Sequence, residues 1–123
     1  MPISTDTPLT RPIPSSGERI PVIGLGTWRA FDVGHRVSGR APLERCVAAF
    51  ESLGGCVIDS SPMYGWAEEV AGEILASLGV RDRMFIATKV WTQGKERGIE
   101  QMRAIKREID PDWKLAPGVI FQP

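Results

Sequence analysis

Three side chains of complementary chemistry stand at comparable places along the chain: Asp59, the single tyrosine Tyr64, and Lys89. Asp59 ends the apolar run Cys56-Val57-Ile58, Tyr64 follows five residues later, and Lys89 follows the run Met84-Phe85-Ile86-Ala87. A phenol, with a reference pKa of about 10, is a poor acid at neutral pH, but an ammonium beside it stabilises the phenolate. A carboxylate paired with that ammonium holds it in place. Brought together, the three groups would form a proton-transfer device suited to protonating a developing alkoxide. Trp28, Trp66 and Trp91 lie near the same run ends and would wall the device against water, strengthening each charge interaction. Singly, every one of these residues has a blander role. Asp59, Ser60 or Ser61 would cap a helix, Tyr64 would pack with its hydroxyl at the surface, Lys89 would be a solvated charge, and the tryptophans would cover an end of the core. Their convergence is what points to chemistry.

That convergence depends on the elements that carry them. A hairpin is expected where Ile13 and Ile20 flank Ser15-Ser16-Gly17-Glu18, and Val22-Ile23-Gly24-Leu25 reads as a short, fully buried strand ending in Gly26-Thr27-Trp28. Pro42 suits the first turn of a helix whose apolar positions are Leu43, Cys46, Val47, Phe50 and Leu53, with Gly54-Gly55 as its stop. Strand Cys56–Ile58 is followed by a helix from about Ala67 to Leu78, with Glu68 and Glu69 placed to favour its dipole and Gly79 to end it. Strand Met84–Ala87 is followed by a helix from about Arg97 to Ile109, carrying Ile99, Met102, Ile105 and Ile109 in one stripe and broken by Asp110-Pro111. Continuous apolar strands alternating with helices imply a parallel sheet with right-handed crossovers, whose carboxyl ends share one rim. Such α/β units fit either a doubly wound sheet or the opening of an eightfold barrel. The expected organisation is a flexible arm over residues 1–10, a folded body over 11–110 and a divergent tail over 111–123.

Composition narrows the partners. The 123 residues are 42% hydrophobic and 24% charged, with 15 basic and 15 acidic side chains, so neither a nucleic acid nor a charged membrane surface is indicated. No apolar run reaches the roughly 18 residues of a membrane helix, and the polar, proline-rich start lacks a signal core, which leads us to expect a cytoplasmic protein acting on a small molecule. Cys46 and Cys56 read as buried reduced thiols, and with one histidine, His35, expected in an exposed loop, no metal site is expected. Gly24-Leu25-Gly26 begins like a dinucleotide fingerprint but has Arg29 where the third glycine belongs, and no phosphate loop occurs.

The ordered pieces Arg19-Ile20-Pro21-Val22-Ile23-Gly24-Leu25-Gly26-Thr27-Trp28, Asp59-Ser60-Ser61-Pro62-Met63-Tyr64-Gly65 and Ile86-Ala87-Thr88-Lys89-Val90-Trp91 resemble the opening of an aldo-keto reductase. The resemblance covers about Pro12 to Gln101. It implies the N-terminal portion of a (β/α)8 TIM barrel with an N-terminal β-hairpin, about three β/α units being present, from a family that reduces aldehydes or ketones with NADPH and no metal. By resemblance Tyr64 would be the general acid, Lys89 the group that makes it acidic, and Asp59 the partner of that lysine. Gly26, Thr27 and Trp28 would line the nicotinamide end of the cofactor, with Asp59 near it, and Trp28, Tyr64 and Trp91 the substrate pocket. The family adds a histidine after its fourth strand, where this sequence has Gly118-Val119-Ile120-Phe121-Gln122-Pro123. Three units cannot close a barrel, so the chain is expected to be inactive alone and to expose an edge open to self-association. The alternatives are a non-catalytic fragment acting through oligomerisation or a partner, and a small doubly wound nucleotide-binding domain.

Overall fold

A computed structural model describes residues 7–109. In chain order the elements are β1 (Thr10–Pro12), β2 (Arg19–Pro21), β3 (Gly24–Gly26), α1 (Val37–Ser52), β4 (Val57–Asp59), α2 (Ala67–Ser77), a 3₁₀ turn at Arg81–Arg83, β5 (Phe85–Ala87) and α3 (Lys95–Ile109). The expected hairpin forms: β1 and β2 pair antiparallel, with Arg11 opposite Ile20. The Gly17 N–H donates to the Ile13 carbonyl at 2.8 Å, and its φ of 74° is the left-handed conformation that favours glycine at this turn. Leu9 accepts from the Val22 N–H at 2.9 Å and Thr10 pairs with Pro21, so the arm expected over residues 1–10 does not extend through Thr10. The rest of the arm, the tail, the Asp110-Pro111 break and the segment 118–123 lie outside the described residues.

Strands β3, β4 and β5 form one parallel sheet in that order. The register sets Leu25, Ile58 and Ile86 in one row and Gly26, Asp59 and Ala87 in the next. The three carboxyl ends therefore finish level, as expected of β/α units. The core lies between this sheet and the helices. Ile58 from the central strand packs with Val47 of α1 and with Val70, Ala71, Ile74 and Leu75 of α2, and Phe31 from the β3–α1 loop closes one end. Helix α2 packs against α1 on one flank and α3 on the other. The second contact is close: a Cβ added at Gly72 would sit 2.5 Å from the Glu108 carbonyl oxygen. Left-handed Gly54 and Gly79 follow α1 and α2 as expected.

Three expectations need correction. Helix α1 starts at Val37, so Pro42 stands inside it rather than in its first turn. The early start is held by Arg40, whose Nε donates to the Gly34 carbonyl at 3.0 Å and whose guanidinium pairs with Glu73 of α2. Proline withholds only the bond to the Ser38 carbonyl, which lies near the exposed helix start. Val22 and Ile23 are 45% and 69% exposed instead of buried, because the Val22 N–H bonds to the hairpin and the parallel strand begins only at Gly24. Cys46 is exposed and Cys56 intermediate, both free, because α1 buries a narrow stripe centred on Val47 and turns Cys46 and Leu53 outward. Among the described residues no helix is long and apolar enough to cross a membrane.

Candidate functional site

Because β3, β4 and β5 end level, the residues that leave them are neighbours across the sheet. Thr27 is fully buried, and both its N–H (3.1 Å) and its hydroxyl (3.0 Å) donate to the Asp59 carbonyl. Its Oγ1 also lies 2.8 Å from Ser60 Oγ, and the Ser60 N–H donates to the Ala87 carbonyl at 2.8 Å. This lattice of bonds fixes the start of each loop. Ser60 and Ser61 are buried beneath the rim and do not cap α2.

On this floor stands Lys89. Its ammonium donates to both Asp59 carboxylate oxygens, at 3.1 and 3.2 Å, and to the Ser60 carbonyl at 2.7 Å. Burial works against its charge, but the hydrogen bonds and charge of Asp59, aided by Tyr64, outweigh that and hold its pKa above the usual lysine value. Lys89 is therefore an ammonium at neutral pH. Its Nζ lies 5.1 Å from the centre of the Tyr64 ring, and the Trp28 ring lies 6.3 Å from that ring at an angle of 40°. The sequence-predicted trio Asp59, Tyr64 and Lys89 is thus one cluster, with Trp28 beside it.

The tryptophans do not make the closed wall expected of them. Trp28 and Trp91 are each 61% exposed, and Trp66 turns away to meet the His35 ring edge-on at 4.7 Å. The strands that would face them across a closed barrel are not among the described residues. At the end of β3 the rim is open: a Cβ added at Gly26 would meet nothing within 4 Å. Trp28 is exposed beside this space, while Thr27, fully buried with its N–H, hydroxyl and carbonyl all engaged, fixes the turn from beneath. Arg29, at the position where a fingerprint would need glycine, has a φ of 59° and lays its guanidinium 4.6 Å over the Trp28 ring.

Three contributors escaped sequence reasoning. Asp32 accepts the Trp66 N–H at 2.9 Å, so the β3–α1 loop tethers the residue just before α2, which has no side-chain cap of its own. Gly65, at a φ of 60°, leaves the space this carboxylate fills. Asp32→Ala is expected to lower stability by about 1 kcal/mol, the usual net loss of one hydrogen bond, measured as a shift in the urea midpoint. Gln101 of α3 clamps the Trp91 backbone, accepting its N–H at 2.5 Å and donating to its carbonyl at 3.2 Å. Glu68, which the sequence places in the first turn of α2 where its charge suits the helix dipole, is only 2% exposed. Its Oε2 accepts from the Thr88 hydroxyl at 3.4 Å and its Oε1 is buried without a partner. Burial, then the charge of Glu108, push its pKa up to about 7 against the opposing pull of Thr88 and Lys89.

The profile of the Aldo/keto reductase family matches residues 22–110. The chain belongs to this family. It is 34% identical over 98 residues to methylglyoxal reductase YeaE of Escherichia coli, a match covering 76% of this chain and 33% of that enzyme. An aldo/keto reductase from Klebsiella pneumoniae solved with NADP and acetate superimposes with a TM-score of 0.63 at 31% identity, covering 76% of this chain and 32% of that one. A second Klebsiella pneumoniae aldo-keto reductase, solved with NADPH, gives a TM-score of 0.62 at 28% identity over 82% of this chain and 36% of the other. The chain spans about a third of the length of the relatives it matches. This aldo/keto reductase chain accordingly has the fold of the N-terminal portion of a (β/α)8 barrel, three β/α units behind a hairpin.

Proposed function

We propose that this chain carries the acid–base portion of a cytoplasmic NADPH-dependent reductase of small aldehydes or ketones. The carrying observation is the Lys89 ammonium, held by both oxygens of Asp59 and by the Ser60 carbonyl, 5.1 Å from the centre of the Tyr64 ring. In this reading Tyr64 gives its hydroxyl proton to the carbonyl oxygen of the substrate. Lys89 stabilises the phenolate left behind, and Asp59 keeps the ammonium oriented. Gly26 and Trp28, with buried Thr27 fixing the turn beneath them, would line the nicotinamide end of NADPH, which when bound supplies the hydride. Trp28 and Trp91 would flank the substrate, the latter kept in place by Gln101.

The same reading gives the 123-residue chain no turnover alone. Three parallel strands among the described residues cover only part of a barrel rim, and Trp28, Val90 and Trp91 face solvent. Those exposed side chains favour the second reading, a non-catalytic fragment that associates through the β5 edge, which no described strand covers. One comparison separates the two. Residues 7–109 replace the matching segment of methylglyoxal reductase YeaE, and NADPH consumption with methylglyoxal is followed. The chimera is expected to turn over while the isolated chain does not. A folded chimera with no activity would overturn the reductase reading.

A further inference from the structure

Glu68 is a buried ionisable group to which the proton-transfer scheme gives no task. It stands in the first turn of α2, four residues after Tyr64, whose carbonyl accepts the Ala67 N–H at 3.1 Å. Across the interface its Oε2 takes the hydroxyl of Thr88, the residue immediately before Lys89. One side chain thus ties the segment carrying the phenol to the segment carrying the ammonium. Its other oxygen, Oε1, is buried with no donor. A neutral carboxyl tolerates that position far better than an anion, whose bare oxygen must draw in water or a cation.

We infer that Glu68 is a positioning residue for Lys89: it holds the end of β5 through Thr88, and once ionised its charge acts on the Lys89 ammonium that Asp59 holds. This deepens the reductase reading and rests on it only for its catalytic meaning. The charges that act on Glu68 come from both neighbouring elements. Glu108 on α3 repels its anion, and Lys89 beyond β5 attracts it. Glu108 is itself raised in pKa by burial and then by Glu69, with Arg107 opposing. Lys89 attracts the Glu68 carboxylate, so its ionisation is felt at Lys89.

The test uses the full chain, with the side-chain ¹³Cδ resonance of Glu68 and the ¹⁵Nζ resonance of Lys89 followed between about pH 5 and 9. Both are expected to step together near pH 7, where Glu68 titrates. In Glu68→Gln, which keeps the shape and an acceptor for Thr88 but cannot ionise, the Lys89 step is expected to vanish and its resonance to hold the low-pH position throughout. His35→Gln removes the single imidazole of the chain and is expected to leave the step unchanged. A Lys89 resonance that stays flat while Glu68 of the unsubstituted chain titrates would overturn the inference, whether or not Glu68→Gln folds. So would a Lys89 step that persists in a folded Glu68→Gln. A chimera without turnover would instead sink the reductase reading and leave these resonances untouched.

Discussion

In the active chimera, Tyr64→Phe is expected to reduce kcat by about 10²- to 10⁴-fold while changing NADPH affinity by less than about twofold. The substitution removes one hydroxyl and leaves the ring that Lys89 and Trp28 approach. Cofactor contact in this scheme comes from the end of β3, so quenching of Trp28 fluorescence by NADPH measures it independently of turnover. An interaction present only in the transition state lowers kcat and kcat/KM together, whereas a residue that merely shapes the pocket raises KM with kcat unchanged. The second pattern, or activity within a few-fold of the parent, would remove Tyr64 from the role of acid.

The site was legible because its chemistry lies immediately after the strands. In a parallel sheet every strand delivers its next residues to the same rim, so locating Val57–Asp59 and Phe85–Ala87 already places Asp59 and Lys89 together. Tyr64 follows within one short loop. Nothing comparable marks Asp32, which reaches α2 across 34 positions, or Gln101, which clamps a loop ten residues earlier. Each is a polar residue whose partner is backbone, and a backbone amide leaves no trace in the sequence. Glu68 is harder still. Two adjacent glutamates open α2, and only the docking of α3 and β5 separates them, burying Glu68 and leaving Glu69 half-buried.

The fold shows the same division. Left-handed glycines at 17, 54 and 79 and apolar runs at the central strands are local signals, and the turns and strands fall where those signals stand. The start of α1 is set by a long-range contact, Arg40 to Glu73, which overrides the local preference of Pro42 for a first turn. Val22 and Ile23 mislead for another reason. Hydrophobicity read along the chain cannot tell a strand covered on both faces from one whose covering elements lie elsewhere, and these two side chains sit where the described residues leave a face open.

Glu68 also makes the stability of the chain fall as pH rises, and Glu68→Gln is expected to flatten that fall. The carboxyl titrates near 4.5 when unfolded and at about 7 in the fold. Between these values the folded chain keeps a proton that the unfolded chain has released, so stability decreases with increasing pH and the loss is complete above about 7. At about 1.4 kcal/mol per tenfold difference in proton affinity, it amounts to about 3 kcal/mol. Glutamine does not titrate, but its buried amide brings polar hydrogens that need acceptors, a penalty equal at every pH. The informative quantity is therefore the change in unfolding free energy between pH 5 and 8 rather than its value at either. Urea unfolding followed by tryptophan fluorescence should show a decline in the parent of about 2.5 kcal/mol beyond that in the variant between those two pH values. The slope left in Glu68→Gln belongs partly to Glu108, which is raised in the same direction but is exposed, and Glu108→Gln isolates it. Parallel declines in the parent and in Glu68→Gln would mean that Glu68 ionises as readily in the folded chain as in the unfolded one.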